Sequence, residues 1–343
     1  MNSTFTGAAH ELCGAFPMGE RIKELLQSGE AEQAVPHHNG SNSNNNSNNN
    51  NSISSLLLPT NFDPVQKWPQ CKSIINDIRD QSNCGCCFAF APAGAASDRL
   101  CIASNGSVAI PLSAQEACFC PYEFTGDCDG GYTSDPWLHL AGKGLVTGGQ
   151  FNHTGKYGSD GLCSAYSLPH CHHHGPRGKD PYPSENSKGC PSVDDSPKCP
   201  NKCDSDAKVP YDSWTKSRYK SPKKKKGETN LQVYPSDDKG MAAMASILEY
   251  GSVSATMDVY SDFENYVSGI YHHVIGKNLG GHAVRVVGWG EENGTKYWKV
   301  ANSWNSYWGE NGYFRILRGS DECDIEDNMM SSWNLGKWSG PGL

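Results

Sequence analysis

A thiol, an imidazole and two carboxamides occur in settings that suit thiol-based acyl transfer. Cys87 follows Cys84-Gly85-Cys86 and precedes an Ala-rich run, Phe88 to Arg99. Alanine favours helix and close packing, so this run predicts a buried helix with Cys87 near its N-terminus, although Pro92 sits badly beyond a first turn. Orphan amide donors and the positive dipole end stabilise a thiolate at such a place. A cysteine in isolation is more often a buried thiol or half of a disulfide, so its companions decide. His282 stands behind Gly280-Gly281 at the mouth of a strand, and Asn302 closes the next apolar strand some twenty residues later. Gln81 precedes the cysteines. Together they supply a nucleophile, a base, a partner that fixes the base's tautomer and a donor for a developing oxyanion. None carries the reading alone.

The elements that must position them are legible in outline. Trp68, Cys71, Ile74, Ile75 and Ile78 are apolar anchors leading into the cysteine motif, and the folded domain begins near Pro59. From Ala103 to Asp204 the chain is short segments, turns and cysteines, so crosslinks must do much of the ordering. Met241 to Tyr250 predicts a helix stopped by Gly251. Ser252 to Val259, Ala283 to Gly288, Tyr297 to Asn302 and Gly312 to Leu317 are strand candidates. A helical part therefore faces a mostly β part, with a cleft between them. Ser41 to Ser55 is an Asn/Ser low-complexity stretch, read as a disordered connector in a region dispensable for the mature fold.

Composition narrows the function. Fifteen cysteines in 343 residues favour an oxidising compartment. A net charge of −8, with the basic run Lys223 to Lys226 read as a solvated loop, argues against nucleic-acid binding. No run of about eighteen apolar residues is present, which argues against an ordinary membrane-spanning helix. Met1 to Gln27 contains no apolar core of the kind a secretory signal needs. Cys171-His172-His173-His174 offers zinc-competent groups, but adjacent side chains in an extended loop diverge, so no metal or cofactor is assigned.

At the level of motifs the chain resembles papain-family cysteine proteases, and within them the cathepsin B-like group. Gln81, Cys84 to Phe90, Gly281-His282-Ala283 and Asn302-Ser303-Trp304-Asn305 match the catalytic blocks. Cys128-Asp129-Gly130-Gly131-Tyr132, Trp137, Lys143 to Val146 and the run from Gly280 to Cys323 extend the likeness over nearly all of residues 58 to 330. The resemblance implies an α+β, papain-like two-lobed fold, with a helical left lobe (mainly 80–240), a β-barrel-like right lobe (mainly 241–330) and the active-site cleft between them. Residues 1–58 would be a propeptide-like segment with its connector, and 59–343 the peptidase domain. Cys87, His282 and Asn302 would be catalytic, Gln81 would serve the oxyanion, and Gly130, Gly131, His173, His174, Trp304 and Asn328 would contact substrate. His282 lies 195 residues after Cys87, against about 130 to 150 in papain-like enzymes. Part of the excess falls in Cys163 to Cys190, which matches the group's occluding loop. That loop implies peptidyl-dipeptidase as well as endopeptidase activity, with His173 and His174 receiving a substrate's C-terminal carboxylate. Further implications are peptide and protein substrates, cystatin-like inhibitors, a monomer, and a lysosome, related acidic vesicle or secreted location. Leu12-Cys13-Gly14 resembles the end of a cathepsin B-like propeptide, of which the sequence carries only a part.

Several positions depart from the group. Cys86 replaces a Ser or Ala, Phe88 replaces a Trp, Asn328 replaces a pocket glutamate, and Tyr307 replaces the acidic partner of one loop latch, leaving Asp80 and His173 as the other. Family pairing assigns Cys71 to Cys101, Cys84 to Cys128, Cys118 to Cys199, Cys163 to Cys203 and Cys171 to Cys190. Cys86 and Cys120 then either pair with each other or stay unpaired. The rival functions are a catalytically impaired cathepsin B-like binding protein and a disulfide-rich structural protein. Asn105, Asn152 and Asn293 are glycan acceptor sites by motif.

Overall fold

The computed structural model describes residues 15–16, 18–28, 31–33, 58–120, 126–151, 162–173, 180–184, 190, 196–204 and 231–332. The Asn/Ser-rich stretch, Asn152, His174 and the Lys223 to Lys226 run lie outside them. In chain order the elements begin with helix α1 (Gly19–Ser28) and strand β1 (Ala31–Gln33), then α2 (Pro64–Lys67) and α3 (Lys72–Ile75). The long helix α4 (Cys87–Ala103) is followed by α5 (Ala114–Phe119) and α6 (Ser134–Gly142). The C-terminal part holds β2 (Leu231–Tyr234), α7 (Met241–Tyr250), β3 (Val253–Tyr260), β4 (Ile270–Tyr271), β5 (Asn278–Glu292), β6 (Thr295–Ala301), β7 (Tyr313–Leu317) and β8 (Met329–Ser332).

The strands form one eight-stranded sheet in the order β1-β2-β8-β3-β5-β6-β7-β4. This corrects the expectation of a barrel-like lobe in an α+β fold: the architecture is mixed α/β and the sheet is open. Its two ends are β1, three residues long, and β4, two residues long, each paired in parallel with a single neighbour. Closure needs a continuous staggered ladder around the sheet, and strands of that length do not supply it. The β5–β6 hairpin is longer than its apolar stretch suggested, because Asn293 and Gly294 both take positive φ (52° and 80°) and make the tight turn that lets pairing continue to Glu292–Thr295.

Helix α4 runs through Pro92, as expected of the Ala-rich run despite the unfavourable place of the proline. Its sequence from Cys87 to Cys101 is buried throughout, so packing rather than local propensity holds it. Two adjacent charges dock it. Asp98 accepts two bonds from Arg285 Nη1 of β5 (2.8 and 2.7 Å) and one from Ser252 Oγ. Arg285 Nη2 goes on to the carbonyls of Ile75 and Asp77. Arg99, fully buried, donates to the carbonyls of Ser252, Gly251 and Ser332 and to Ser246 Oγ, tying α4 to α7, β3 and β8.

The disulfides pair Cys71 with Cys101, Cys84 with Cys128, Cys163 with Cys203 and Cys171 with Cys190. Two bonds differ from the family pairing: Cys86 joins Cys118, and Cys120 joins Cys199. The reason is helical. Cys118 and Cys120, two positions apart at the end of α5, point about 200° apart at 3.6 residues per turn. Cys118 faces the start of α4 and is fully buried, while Cys120 caps α5 and meets the 196–204 segment.

Asp98→Ala would leave Arg285 buried without its carboxylate. The expected loss in urea unfolding is about 3 to 5 kcal/mol. Removing the exposed Lys23–Glu20 pair of α1 should cost below about 0.5 kcal/mol. Equal effects would show that the buried pair does not anchor α4.

Candidate active site

Cys87 is the first residue of α4, with Cys86 as its cap, and is fully buried. Its sulfur is held in a disulfide whose partner lies outside the described residues. The following residue, Phe88, lays its ring against Gly126 and Gly131, where any Cβ would collide with it. On the other side β5 carries Gly281 and His282. Ala15 bridges the two, pairing with both Gly131 and Gly281. One residue's width thus separates the glycine beside the Cys87 helix from the glycine beside His282.

His282 is fully buried. Its Nε2 lies 2.7 Å from Asn302 Oδ1, which also accepts the Ser303 amide at 2.8 Å. An amide oxygen can only accept, so Nε2 carries a proton. The indole of Trp304 stacks on the His282 ring (4.8 Å, 20°) and on the His173 ring (6.1 Å, 11°), closing the His282–Asn302 bond off from water. Burial pushes the His282 pKa down to about 4, against the bond to Asn302 and with the His173 charge adding to the fall. Gln81 is held at three points. Its amide donates to Ser303 O (2.9 Å), its Oε1 accepts from Ser303 Oγ (2.7 Å), and its Nε2 donates to Cys84 O (2.8 Å). Ser303, which sequence reasoning passed over, therefore joins Gln81 to Asn302. Its only sequence signal was its place inside the Asn302 motif.

The loop that begins at Cys163 is anchored by Asp80. Asp80 Oδ1 accepts from His173 Nε2 and the Ser82 amide, both at 2.7 Å. Its Oδ2 accepts from Asn305 Nδ2 (3.2 Å), the Cys171 amide (3.3 Å) and His170 Nδ1 (3.4 Å). Burial alone would raise this carboxyl's pKa, but the His173 charge and the bonds from His170, His173 and Ser82 hold it well below the usual range. His172 turns instead to Asp180 (3.1 Å), so His172 and His173 do not converge on one point. Tyr307 packs edge-on against Tyr182 (5.9 Å), which stacks on His170 (4.7 Å). His170, Asp180 and Asn305 are loop anchors that the sequence reading did not single out. Asn328, on the segment before β8, is half-buried and donates to Asp324 O (2.9 Å). Asp258 of β3 stands opposite Gly281, a carboxylate near the site without a motif to announce it.

Residues 58–333 match the model of the papain family cysteine proteases. The chain belongs to that family. Its likeness is to the cathepsin B-like group. It is 41% identical over 315 residues to a cathepsin B-like cysteine proteinase of Schistosoma japonicum, covering 92% of this chain and 80% of the relative. It is 43% identical over 270 residues to cathepsin B-like cysteine proteinase 4 of Caenorhabditis elegans, covering 78% and 73%. Among solved structures it resembles procathepsin B S9 from Trypanosoma congolense, with a TM-score of 0.65, 28% identity and coverage of 97% and 89%. The digestive procathepsin L 3 of Tenebrio molitor, at 20% identity and a TM-score of 0.52, shares the fold over 91% of this chain and 78% of that one. The protein is a cathepsin B-like cysteine endopeptidase of the papain family, and peptides and proteins are its substrates.

In this cathepsin B-like enzyme the state of Cys87 should govern the charge of His282. With Cys87 in its disulfide, the His282 ring protons followed by NMR should titrate near pH 4. If the two form a pair, reduction of Cys87 to a thiolate sets a negative charge against the ring and favours imidazolium, so the titration should move upward. An unchanged midpoint after reduction would show that Cys87 and His282 do not form an ion pair.

Proposed function

We propose that Cys87, once reduced, is the nucleophile, with His282 as its base, Asn302 as the group that fixes His282, and Gln81 as an oxyanion donor. The observation that carries this reading is the chain of bonds from His282 Nε2 to Asn302 Oδ1, to the Ser303 amide, and from Ser303 Oγ to Gln81 Oε1. It commits Nε2 of the imidazole as a donor and the oxygen of the Gln81 amide as an acceptor, so Nδ1 is the basic nitrogen of the ring and Nε2 of Gln81, which also donates to Cys84 O, is the oxyanion donor. The Cys87 thiolate attacks the scissile carbonyl. The Cys87 amide and Gln81 Nε2 receive the oxyanion, and His282 gives its proton to the leaving amine. Water, deprotonated by His282, then hydrolyses the thioester.

The finer activity in this proposal is endopeptidase cleavage together with release of C-terminal dipeptides. Gly130 and Gly131 pair with the substrate backbone, and Ala15 and Phe16 already use Gly131 and Gly281 in that way. His173 and His174 receive a free C-terminal carboxylate, and the anchoring of His173 by Asp80 supports a loop that can close the primed end. Residues 1–58 act as a removable inhibitory segment, and 59–343 as the peptidase. The same reading includes cystatin-like inhibitors, a monomer, an acidic vesicle or secreted location, and glycans at Asn105 and Asn293. The alternative, a cathepsin B-like binding protein without turnover, draws on the disulfide at Cys87.

Labelling by an epoxide that traps activated thiols, after mild reduction, separates the two. Modification of Cys87 with loss of peptide hydrolysis is expected, and a processed, reduced protein that neither labels nor cleaves would establish the binding reading. Ser303→Ala removes one hydrogen bond from Gln81, worth about 1 kcal/mol, so kcat should fall about fivefold. KM should hardly change; a rise in KM alone would place Ser303 in substrate binding. At the second residue before the scissile bond, Asn328 offers an amide where a carboxylate would pair with arginine. Peptides with Phe there should be cleaved faster than peptides with Arg, and a strong Arg preference would assign that pocket to a carboxylate such as Asp258.

A further inference from the structure

We propose that Tyr182 and Tyr307 are specificity-determining residues: their aromatic contact holds the loop that begins at Cys163 and sets how readily a chain is cut internally rather than trimmed from its C-terminus. This rests on the reading of that loop as the closure of the primed end, and it names the residues that tune the closure. Two strips of the loop, 170–173 and 180–184, are tied to each other. The His172 amide donates to Pro183 O (2.8 Å), His172 pairs with Ser184, and the His172 ring reaches Asp180 (3.1 Å). The Tyr182 amide donates to Asp180 Oδ1 (2.9 Å), which fixes the backbone from which the Tyr182 ring projects.

The body of the enzyme meets the two strips differently. Strip 170–173 is taken by Asp80, through His170, His173 and the Cys171 amide, and by Asn305 Nδ2, which donates to Cys171 O (3.0 Å). Strip 180–184 receives a long contact from Asn305 Nδ2 to Asp180 Oδ2 (3.5 Å) and the ring of Tyr307, which meets Tyr182 at 84° with centroids 5.9 Å apart. Tyr182 also lies flat on His170 (4.7 Å, 11°). A ring of one strip is thus clasped between a ring of the other and a ring of the body. Asn305 prepares this contact. It is buried, takes a positive φ of 58° and spends Oδ1 on the Tyr307 amide (2.9 Å), so the residue that holds Cys171 also sets the backbone of Tyr307. Burial and the charge of Asp80 push the Tyr182 phenol upward, which keeps the ring neutral.

The size of such a contact suits a tuning role. An aromatic pair biases an equilibrium by about 2- to 12-fold beyond the area it buries. That is small enough for a substrate to overcome and large enough to weight one kind of substrate against another. A chain that continues past the primed end has to displace the strips, whereas one that ends there does not. Weakening the hold therefore favours internal cleavage over dipeptide release. Tyr307 keeps 49% of its surface exposed, so truncating it opens no buried cavity and acts on the contact alone.

The test compares the full chain, processed and mildly reduced, with Tyr307→Ala, Tyr307→Phe, Tyr182→Ala and the double alanine variant. Hydrogen exchange at the Cys171 and His172 amides reads the hold without any turnover. It should be about 2- to 12-fold faster in Tyr307→Ala and close to wild type in Tyr307→Phe, which keeps the ring. The ratio of kcat/KM for a quenched peptide with an amidated C-terminus to that for the same peptide with a free carboxylate should rise by a similar factor. The double variant should go no further than Tyr182→Ala, since both remove one contact. If Tyr182→Ala does not fold, the two Tyr307 variants decide alone. Unchanged exchange in Tyr307→Ala would overturn the proposal, as would Tyr307→Phe behaving like Tyr307→Ala. Faster exchange with an unchanged ratio would overturn the role in specificity, and with it the reading of the loop as a closure. Exchange as expected, with no peptide cut even by the wild type, would defeat the peptidase roles and support the contact.

Discussion

Asp98 and Arg285 meet where water does not reach, and that meeting sets how helix α4 lies against strand β5. The pair is costly to bury, so it is retained only with good geometry and with the remaining donors satisfied. Both conditions hold: Arg285 spends Nη1 on Asp98 and Nη2 on two carbonyls, and Asp98 takes Ser252 Oγ besides. Gly94 makes the approach feasible, since a Cβ there would lie 3.2 Å from Arg285 Cδ. Cys87 opens the helix and His282 lies three residues before Arg285 on the strand. The placing of thiol and imidazole is therefore inherited from an ion pair that touches neither. Arg99 adds four bonds from the same turn of helix, so α4 is fixed at its C-terminal half and presents its N-terminus to the site.

A second constraint couples the loop to the base. Asp80 gathers five donors, two of them histidines and one the amide of Cys171 inside the loop. His173 is also one of the two histidine rings that stack on Trp304, the other being His282. The loop anchor and the His282 imidazole therefore share one aromatic wall. They also share a field, since the charge of His173 disfavours protonation of His282. Displacing the loop would remove that charge.

What could be read from the sequence was what depends on residue type at short range. Cys87 at a helix start, His282 behind two glycines and Asn302 closing a strand all announced themselves, as did the helix Met241–Tyr250. What depends on packing between distant segments could not be read. Pro92 counted against the expected helix because propensity is local, whereas a helix buried on every side is held by its neighbours. The barrel expectation failed because alternating strands look the same in an open or a closed sheet, and only the length of the end strands decides. Family pairing put Cys118 with Cys199 and left Cys120 to pair with Cys86 or stay unpaired, because a pairing carried over from relatives has no account of the extra Cys86. The turn of α5 decides, sending one inward and the other out. Asn305 and Ser303 stood within the quoted motif, but a motif does not say which member holds the others in place.

The pairing of Cys86 bears on the chemistry beside it. A second thiol next to a nucleophile is a competitor for oxidants and for exchange, and Cys84, Cys86 and Cys128 bring three sulfurs close together, with those of Cys84 and Cys86 3.3 Å apart. Each of the three is spent in a disulfide, so the cluster offers neither a thiolate nor a metal ligand. Cys86 is the cap and Cys87 the first helical residue, and side chains at successive helical positions point about 100° apart. Cys86 is thereby turned towards α5, where Cys118 holds it. The substitution that looked most dangerous to Cys87 instead staples α5 to the start of α4, beside Cys87 itself.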